Sequence, residues 1–413
     1  MLNLQPLLAS GSRSSRELID TAGVSRATLM RAVHGLGDQV LTLGRARATR
    51  YALRQTLPGL SASEFPAFRV DEQGKISQSN TLITLAGTES VWFPDESVID
   101  GLPAEIHDLA PRGFLGRFFA RRNQDLGLPD DVTSWSDHHV LAAVARRGED
   151  LPGNLVIGKE SFERWQELWH DETGVAEFPA LAEAALAGQH TGSSAGGDRP
   201  KFTCLHQGEH CIVKVSNART DNARRWQDLL RLEHLALETL RDHGVSAASS
   251  ALVDYEDWRF LVVYRFDRVG ARGRIRAISM AAASETEGRT WMDAAHALSR
   301  DELLSAQNVR RIALLDAFGA QIANNDRHLH NVCLFPRDDR YDLAPAFDQL
   351  PMAYAPQASG NMLEQPVRIA RPNADTLAVW DEATSLARAY WRIAADADLT
   401  GPMRAIAVAH AQR

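Results

Sequence analysis

The most constraining stretch of this chain is Asn324-Asn325-Asp326-Arg327-His328-Leu329-His330-Asn331, in which an aspartate is followed five residues later by an asparagine. An apolar run, Val332 to Phe335, comes next and reads as a buried strand. Pro336-Arg337-Asp338-Asp339 reads as a turn, and a second strand-like run ends in Asp348. The pattern predicts an Asp and an Asn on one loop, with a second Asp at the far end of a hairpin. A phosphoryl-transfer site needs these parts. One carboxylate accepts the proton of the attacking hydroxyl, and an amide and a carboxylate hold Mg²⁺. The same spacing also arises where Asp and Asn only cap turns, so the remainder of the chain has to discriminate.

Asp-x₄-Asn is the spacing of the protein-kinase catalytic loop, with Asn324-Asn325 here in place of the usual His-Arg pair. The 413 residues make two or three domains the starting expectation. A net charge of −8 argues against a polyanion-binding surface over the whole molecule. The three cysteines, Cys204, Cys211 and Cys333, lie in or beside strand-like runs and have no zinc spacing, which predicts buried thiols in a reducing compartment. No apolar run reaches 18 residues and no signal-peptide pattern opens the chain, so a soluble, cytoplasmic protein with no membrane partner is expected.

Residues 1–55 are set apart by charge. Eight arginines oppose Glu17, Asp20 and Asp38, an excess of five that leaves the remainder at −13. Ser15 to Ala22 reads as a short helix and Gly23-Val24 as a turn. Ser25 reads as the cap of a second helix, Arg26 to His34. Gln39 to Leu53 alternates around Gly44-Arg45 like a hairpin. Helix, turn, helix and basic hairpin make the layout of a winged helix-turn-helix domain. On that reading Ser25, Arg26, Thr28, Leu29 and Arg31 face the DNA major groove, and Arg45 and Arg47 reach phosphate or the minor groove. A small module packed on the body or on another protein is the plainer alternative.

Residues 56–68 read as a Pro- and Ser-containing linker, and 69–165 as a subdomain with mixed signals and no catalytic constellation. A Gly-rich stretch follows, Thr191 to Lys201, holding Gly192, Ser193, Ser194, Ala195, Gly196 and Gly197. Small residues let successive N–H groups approach a phosphate, although a surface loop has the same composition. Lys201–Cys204 and His210–Val215 read as strands. Lys214 stands amid apolar neighbours, a costly place unless its ammonium meets an anion. The helical pattern Trp226–Leu240 carries Glu233, either as that anion or on a solvated face. Trp258 to Tyr264 reads as a strand feeding a hinge at Arg265-Phe266-Asp267-Arg268, where backbone groups are available to adenine. The remainder to 413 is mainly helical, beginning with an apolar helical stretch, 301–323, that delivers the Asp326 loop.

Taken in order, these parts resemble the HipA family of bacterial serine/threonine kinases, the toxins of HipA/HipB-type toxin–antitoxin pairs. The resemblance rests on Gly192–Lys201, Ile212-Val213-Lys214, Tyr264–Arg268, Asn325–Asn331 and Leu343–Asp348, with Leu102-Pro103 and Gly148–Gly153 upstream. It implies an α/β (α+β), bilobal kinase-like fold, with a small lobe at 166–268 and a helical C-lobe at 269–413, and the winged helix read at 1–55 stands in front of it. It further implies ATP and Mg²⁺ as cofactors and Asp326 as catalytic base. Asn331 and Asp348 would be metal ligands, and Lys214, Glu233, Tyr264, Phe266 and the Gly192–Gly197 loop would lie at the nucleotide. His328 matches the family's D-x-H pattern, in an orienting role. Ser193 or Ser194 would be autophosphorylated. An unidentified protein substrate, DNA and an antitoxin are the implied partners. One departure stands out: HipA proteins usually obtain DNA binding from a separate antitoxin. Two other readings compete, a DNA-binding regulator with a ligand-sensing kinase-like body and a small-molecule phosphotransferase.

Overall fold

The N-terminal helices form where their caps lie. Ser14 and Glu17 close a capping box at the start of α1 (Ser15–Ala22), and Gly23 ends it in the left-handed conformation. The Ser25 side chain accepts the Thr28 N–H and starts α2 (Arg26–Leu36). Strands β1 (Val40–Leu43) and β2 (Arg50–Leu53) pair antiparallel, and Arg13–Ser14 adds a short third strand. A small core of Leu4, Leu8, Leu18, Leu29, Ala32, Val40 and Tyr51 holds this module together. The structure, a computed structural model, describes residues 2–169, 171–187, 200–284, 289–357 and 359–413.

The module shares a second core with the neighbouring five-stranded sheet. Leu43 and Ala52 of the hairpin pack on Ile83, Leu85 and Val91 of that sheet. Its strands run in the order β6 (Ser97–Asp100), β5 (Glu89–Phe93), β4 (Ile76–Thr84), β3 (Glu64–Val70), β7 (Leu155–Ile157), with each neighbouring pair antiparallel. Strand β3 begins at Glu64, inside the stretch read from sequence as linker. Its alternation of buried Phe65 and Ala67 with less buried neighbours is a strand pattern that Pro66 and the nearby serines disguise. Helices α3 (Ala104–Leu109) and Asp137–Arg147 cover one face of this middle body.

A four-stranded antiparallel sheet comes next in the chain, ordered β10 (Ser250–Tyr255), β11 (Trp258–Tyr264), β9 (Glu209–Asn217), β8 (Lys201–His206). Helix α4 (Asp221–Asp242) crosses it. It sends Trp226, Leu229, Leu232, Ala236 and Leu240 into the large C-terminal core. That core is built by α5 (Trp291–Arg300), α6 (Ala306–Gln321), α7 (Trp380–Asp396) and α8 (Gly401–Ala411). A small sheet of Ile278–Ser279, β12 (Cys333–Arg337) and β13 (Arg340–Leu343) lies on it. Strand β13 stops at Leu343, so Asp348 stands in the loop beyond the hairpin and not at its end.

Candidate active site

Lys214 lies in the middle of β9, paired on one side with Leu261 and on the other with Lys201. Its ammonium donates to both Glu233 oxygens, at 2.6 and 2.8 Å, and to Asp348 Oδ1. The Lys214 side chain is 13% exposed and that of Glu233 1%. Burial works against the Lys214 charge, but Asp348 and Glu233 outweigh it and raise its pKa above the ordinary lysine range. Two acids share this one cation. Burial and the nearby Asp348 push Glu233 up. Asp348, despite burial, is held below its usual value by Lys214, Lys201 and His328. Strand lysine, helix glutamate and loop aspartate, far apart in sequence, are therefore one charge cluster.

The Asp326 loop starts where α6 ends. Ala323 takes a left-handed φ of 64°, and the loop carries Asn324, Asp326, His328 and Asn331. Buried Asn324 ties two parts together. Its Oδ1 accepts the Asp326 N–H at 3.0 Å, and its Nδ2 donates to the Asp348 carbonyl at 3.3 Å. Asp348 itself has φ 53°, a left-handed conformation that Asp tolerates better than most residues. Asn331 Nδ2 donates to the Asp326 carbonyl at 2.8 Å, and the Asn331 side-chain oxygen takes no part in that bond. The Asp326 carboxylate is half exposed, and His328 Nε2 lies 3.9 Å from it. Trp291 donates its indole N–H to the His328 carbonyl at 2.8 Å, and Arg327 pairs with Asp316 at 2.8 Å.

At the hinge, Tyr264 N–H donates to Ser249 and Arg265 N–H to His210, each at 2.9 Å. Those two groups are thus engaged internally, contrary to the expectation that the hinge backbone is open at this point. The Phe266 ring packs 5.8 Å from Phe335 and 5.7 Å from Phe347, an aromatic wall next to Asp348. The hinge is also locked from the middle body. Arg268 bonds Asp267 at 2.7 Å, Asp150 at 3.0 Å and the Leu151 carbonyl at 2.8 Å, and the Gly153 N–H donates to Asp267 at 2.8 Å. Although burial disfavours their charge, Asp150 and Asp267 are pulled far below the usual carboxylate range by Arg265 and Arg268. This explains the Gly148–Gly153 stretch, which sequence alone leaves without a role.

Gly192, Ser193, Ser194, Ala195, Gly196 and Gly197 lie outside the described residues. Lys201, one strand away from Lys214, is a site residue that the sequence reading passes over. Cys204 and Cys211 face each other across β8 and β9 as free thiols, and burial pushes both up to about 12. Cys333, also free, is raised well above the usual thiol value by burial and then by Asp108, Asp267 and Asp348. Burial thus favours the neutral thiol in all three.

In the N-terminal module, Arg26, Arg31, Arg45 and Arg47 are exposed. The hydroxyls of Ser25 and Thr28 sit 3.1 Å apart at the helix cap. Leu29 does not face outward. It is fully buried in the module core, because position 29 falls on the inner face of α2. The hairpin connection is fixed by Glu96, which accepts the Gly44 N–H at 2.9 Å.

Two family descriptions match the chain: "YjjJ-like toxin, middle domain" over residues 61–166 and "HipA-like C-terminal domain" over 193–409. Toxin YjjJ of Escherichia coli K12 is 34% identical over 98% of this chain and 96% of its own length. The chain belongs to the YjjJ-like, HipA-type toxin family. Among solved structures it is similar to the Shewanella oneidensis HipA of a HipA, HipB and operator DNA complex, with TM-score 0.55 and 13% identity. That match covers 84% of this chain and 95% of the other, and it shows a shared fold. The Helicobacter pylori proinflammatory kinase CtkA overlaps more weakly, with TM-score 0.36 over 51% of this chain. Among the described residues of this HipA-type toxin, no helix is long and apolar enough to cross a membrane.

Proposed function

We propose that this HipA-type toxin is a Mg·ATP-dependent protein serine/threonine kinase with a bilobal kinase-like body. The observation that carries the reading is the joining of Lys214, Glu233 and Asp348 into one cluster, with Asn324 linking Asp348 to the Asp326 loop. A lysine aligned by a buried glutamate directs its ammonium at phosphate oxygens. Asp326, half exposed and free of any strong ion pair among the described residues, accepts the proton of an incoming serine or threonine hydroxyl. Phe266, Phe335 and Phe347 supply an apolar surface for a base.

Among the described residues no group of three or more His, Cys, Asp or Glu side chains could cage a metal. One carboxylate (Asp348) and one amide oxygen (Asn331) fit Mg²⁺, which keeps water and phosphate oxygens for the rest of its shell. When bound, the ion neutralises charge on the transferring phosphoryl group. Asp348 and Asn331 would hold the ion, and Lys214 beside them would meet phosphate oxygens.

The N-terminal module is, on the same proposal, a winged helix that binds DNA through Arg26, Arg31, Arg45 and Arg47 with the Ser25–Thr28 helix start. Ser193 or Ser194 is the proposed autophosphorylation site. A separate antitoxin remains a partner in this reading, as HipB is for the Shewanella HipA. The test is incubation of the full chain with labelled ATP and Mg²⁺, followed by mass spectrometry of the protein. Phosphate on the Gly192–Gly197 loop, lost in Asp326→Ala, is the expected result. Equal incorporation in Asp326→Ala overturns the assignment of the base.

A further inference from the structure

Helix α3 belongs to the middle body, yet two of its acidic side chains reach out of it. Glu105 is held by Arg69 of the middle sheet at 3.0 Å and by Arg276, beyond the hinge, at 3.0 Å. Asp108, one turn further on, goes elsewhere. It accepts the Ser279 backbone N–H at 2.6 Å and the Ser279 hydroxyl, 171 residues away in sequence. Its Oδ1 also lies 3.7 Å from Nδ1 of His330. Only 13% of the Asp108 side chain is exposed.

His330 sits between Asp326 and Asn331 on the same short loop. Ser279, in turn, pairs with Cys333 at the start of the strand that leaves that loop, and its hydroxyl caps the next helix through the Ala282 N–H. Asp108 therefore touches the loop once directly and once through the strand behind it. Among the described residues the other side-chain anchors of the loop, namely Asn324, Asp316 through Arg327, and Trp291, belong to the C-terminal body.

We propose that Asp108 is a positioning residue for phosphoryl transfer. The middle body thereby completes the active site, in addition to carrying the N-terminal module. This rests on the kinase reading above. Asp108 acts through the loop and not on the nucleotide or the substrate hydroxyl. It fixes where the Asp326 carboxylate and the Asn331 amide stand, and misplacement by an ångström costs on the order of 100-fold in rate where geometry is demanding. Glu105 is the internal control, because it bridges the same two bodies without reaching the loop.

The experiment compares full-length parent, Asp108→Asn and Glu105→Gln by steady-state phosphoryl transfer and by amide hydrogen exchange of the peptide 324–335. Asp108→Asn is expected to lower kcat about tenfold, with KM for Mg·ATP within about twofold, and to speed exchange in the loop. Glu105→Gln is expected to lower the melting temperature while kcat and loop exchange stay at parent values. Unchanged loop exchange in Asp108→Asn overturns the proposal, as does an equal loss of kcat in Glu105→Gln. If Asp108→Asn does not fold, Ser279→Ala removes one donor and must move kcat and exchange in the same directions, or the proposal fails. A parent that transfers no phosphate defeats the kinase reading, and the exchange comparison then still decides whether Asp108 positions the loop.

Discussion

On the N-terminal module, Arg26, Arg45 and Arg47 stand exposed with no partner among the described residues. In the rest of the chain Lys214, Arg265 and Arg268 are largely or fully buried, each against two carboxylates. Exposed, unpaired cations gain little for folding and are available to a polyanion, whose binding they strengthen in a salt-dependent way. Buried cations have already lost their water, so their geometry is set before any ligand arrives. One region of the molecule holds its charge in reserve, and the other has spent it on pre-organisation.

Mutation can separate the two. The largest effect is expected at Asp326, whose side chain is half exposed and makes no strong ion pair among the described residues. Asp326→Ala should cut phosphoryl transfer by about 10²–10⁴-fold with an unchanged melting temperature. A fall in both would show that the loop is structural. Lys214→Met should act on stability as well as transfer, because it leaves Glu233 and Asp348 without their shared cation. A loss of about 3–5 kcal/mol is expected, read as a lower urea midpoint. A midpoint equal to the parent's would mean that water or Lys201 compensates.

The exposed arginines give a smaller and different signal. Arg45→Ala with Arg47→Ala should leave stability unchanged and reduce the slope of log K against log salt for DNA binding by about 2. A parent whose binding does not depend on salt would remove the module from DNA altogether. A last effect, seen only against pH, comes from a buried group with no charge to offer. His410 stacks on Trp391 at 4.5 Å and meets the Tyr354 hydroxyl, and burial lowers its pKa to about 4. The unfolded chain binds that proton near pH 6.5. Stability should therefore fall as pH drops from about 6.5 towards about 4, and level off below. His410→Gln should flatten that part of the melting curve against pH.

Much of the local structure is legible in the sequence because caps and turns act locally. Ser25 starts its helix, Gly23 ends the one before, and Trp258–Tyr264 is a strand as its alternation and aromatics suggest. The Lys214–Glu233 contact is legible too, since a lysine in an apolar strand demands an acid. What escapes depends on distant parts of the chain. Asn324 reads as a mere replacement in a loop motif until Asp348 is placed beside it. Asp108 carries no signal at all, because its partners lie on another body. Leu29 is misjudged because a short amphipathic helix leaves the boundary of its inner face open by one residue. The linker reading of 56–68 fails where Pro66 sits in a sheet.

The core shared by Leu43, Ala52, Ile83, Leu85 and Val91 leaves the small basic module without a swivel. Its neighbours Gly44 and Ser12 are pinned as well, by Glu96 and Glu89. A head on a slack tether would let the body tumble while the head is held. Here the orientation of one fixes the orientation of the other. Whatever surface captures Arg45 and Arg47 thereby also dictates the direction in which the Asp326 loop opens.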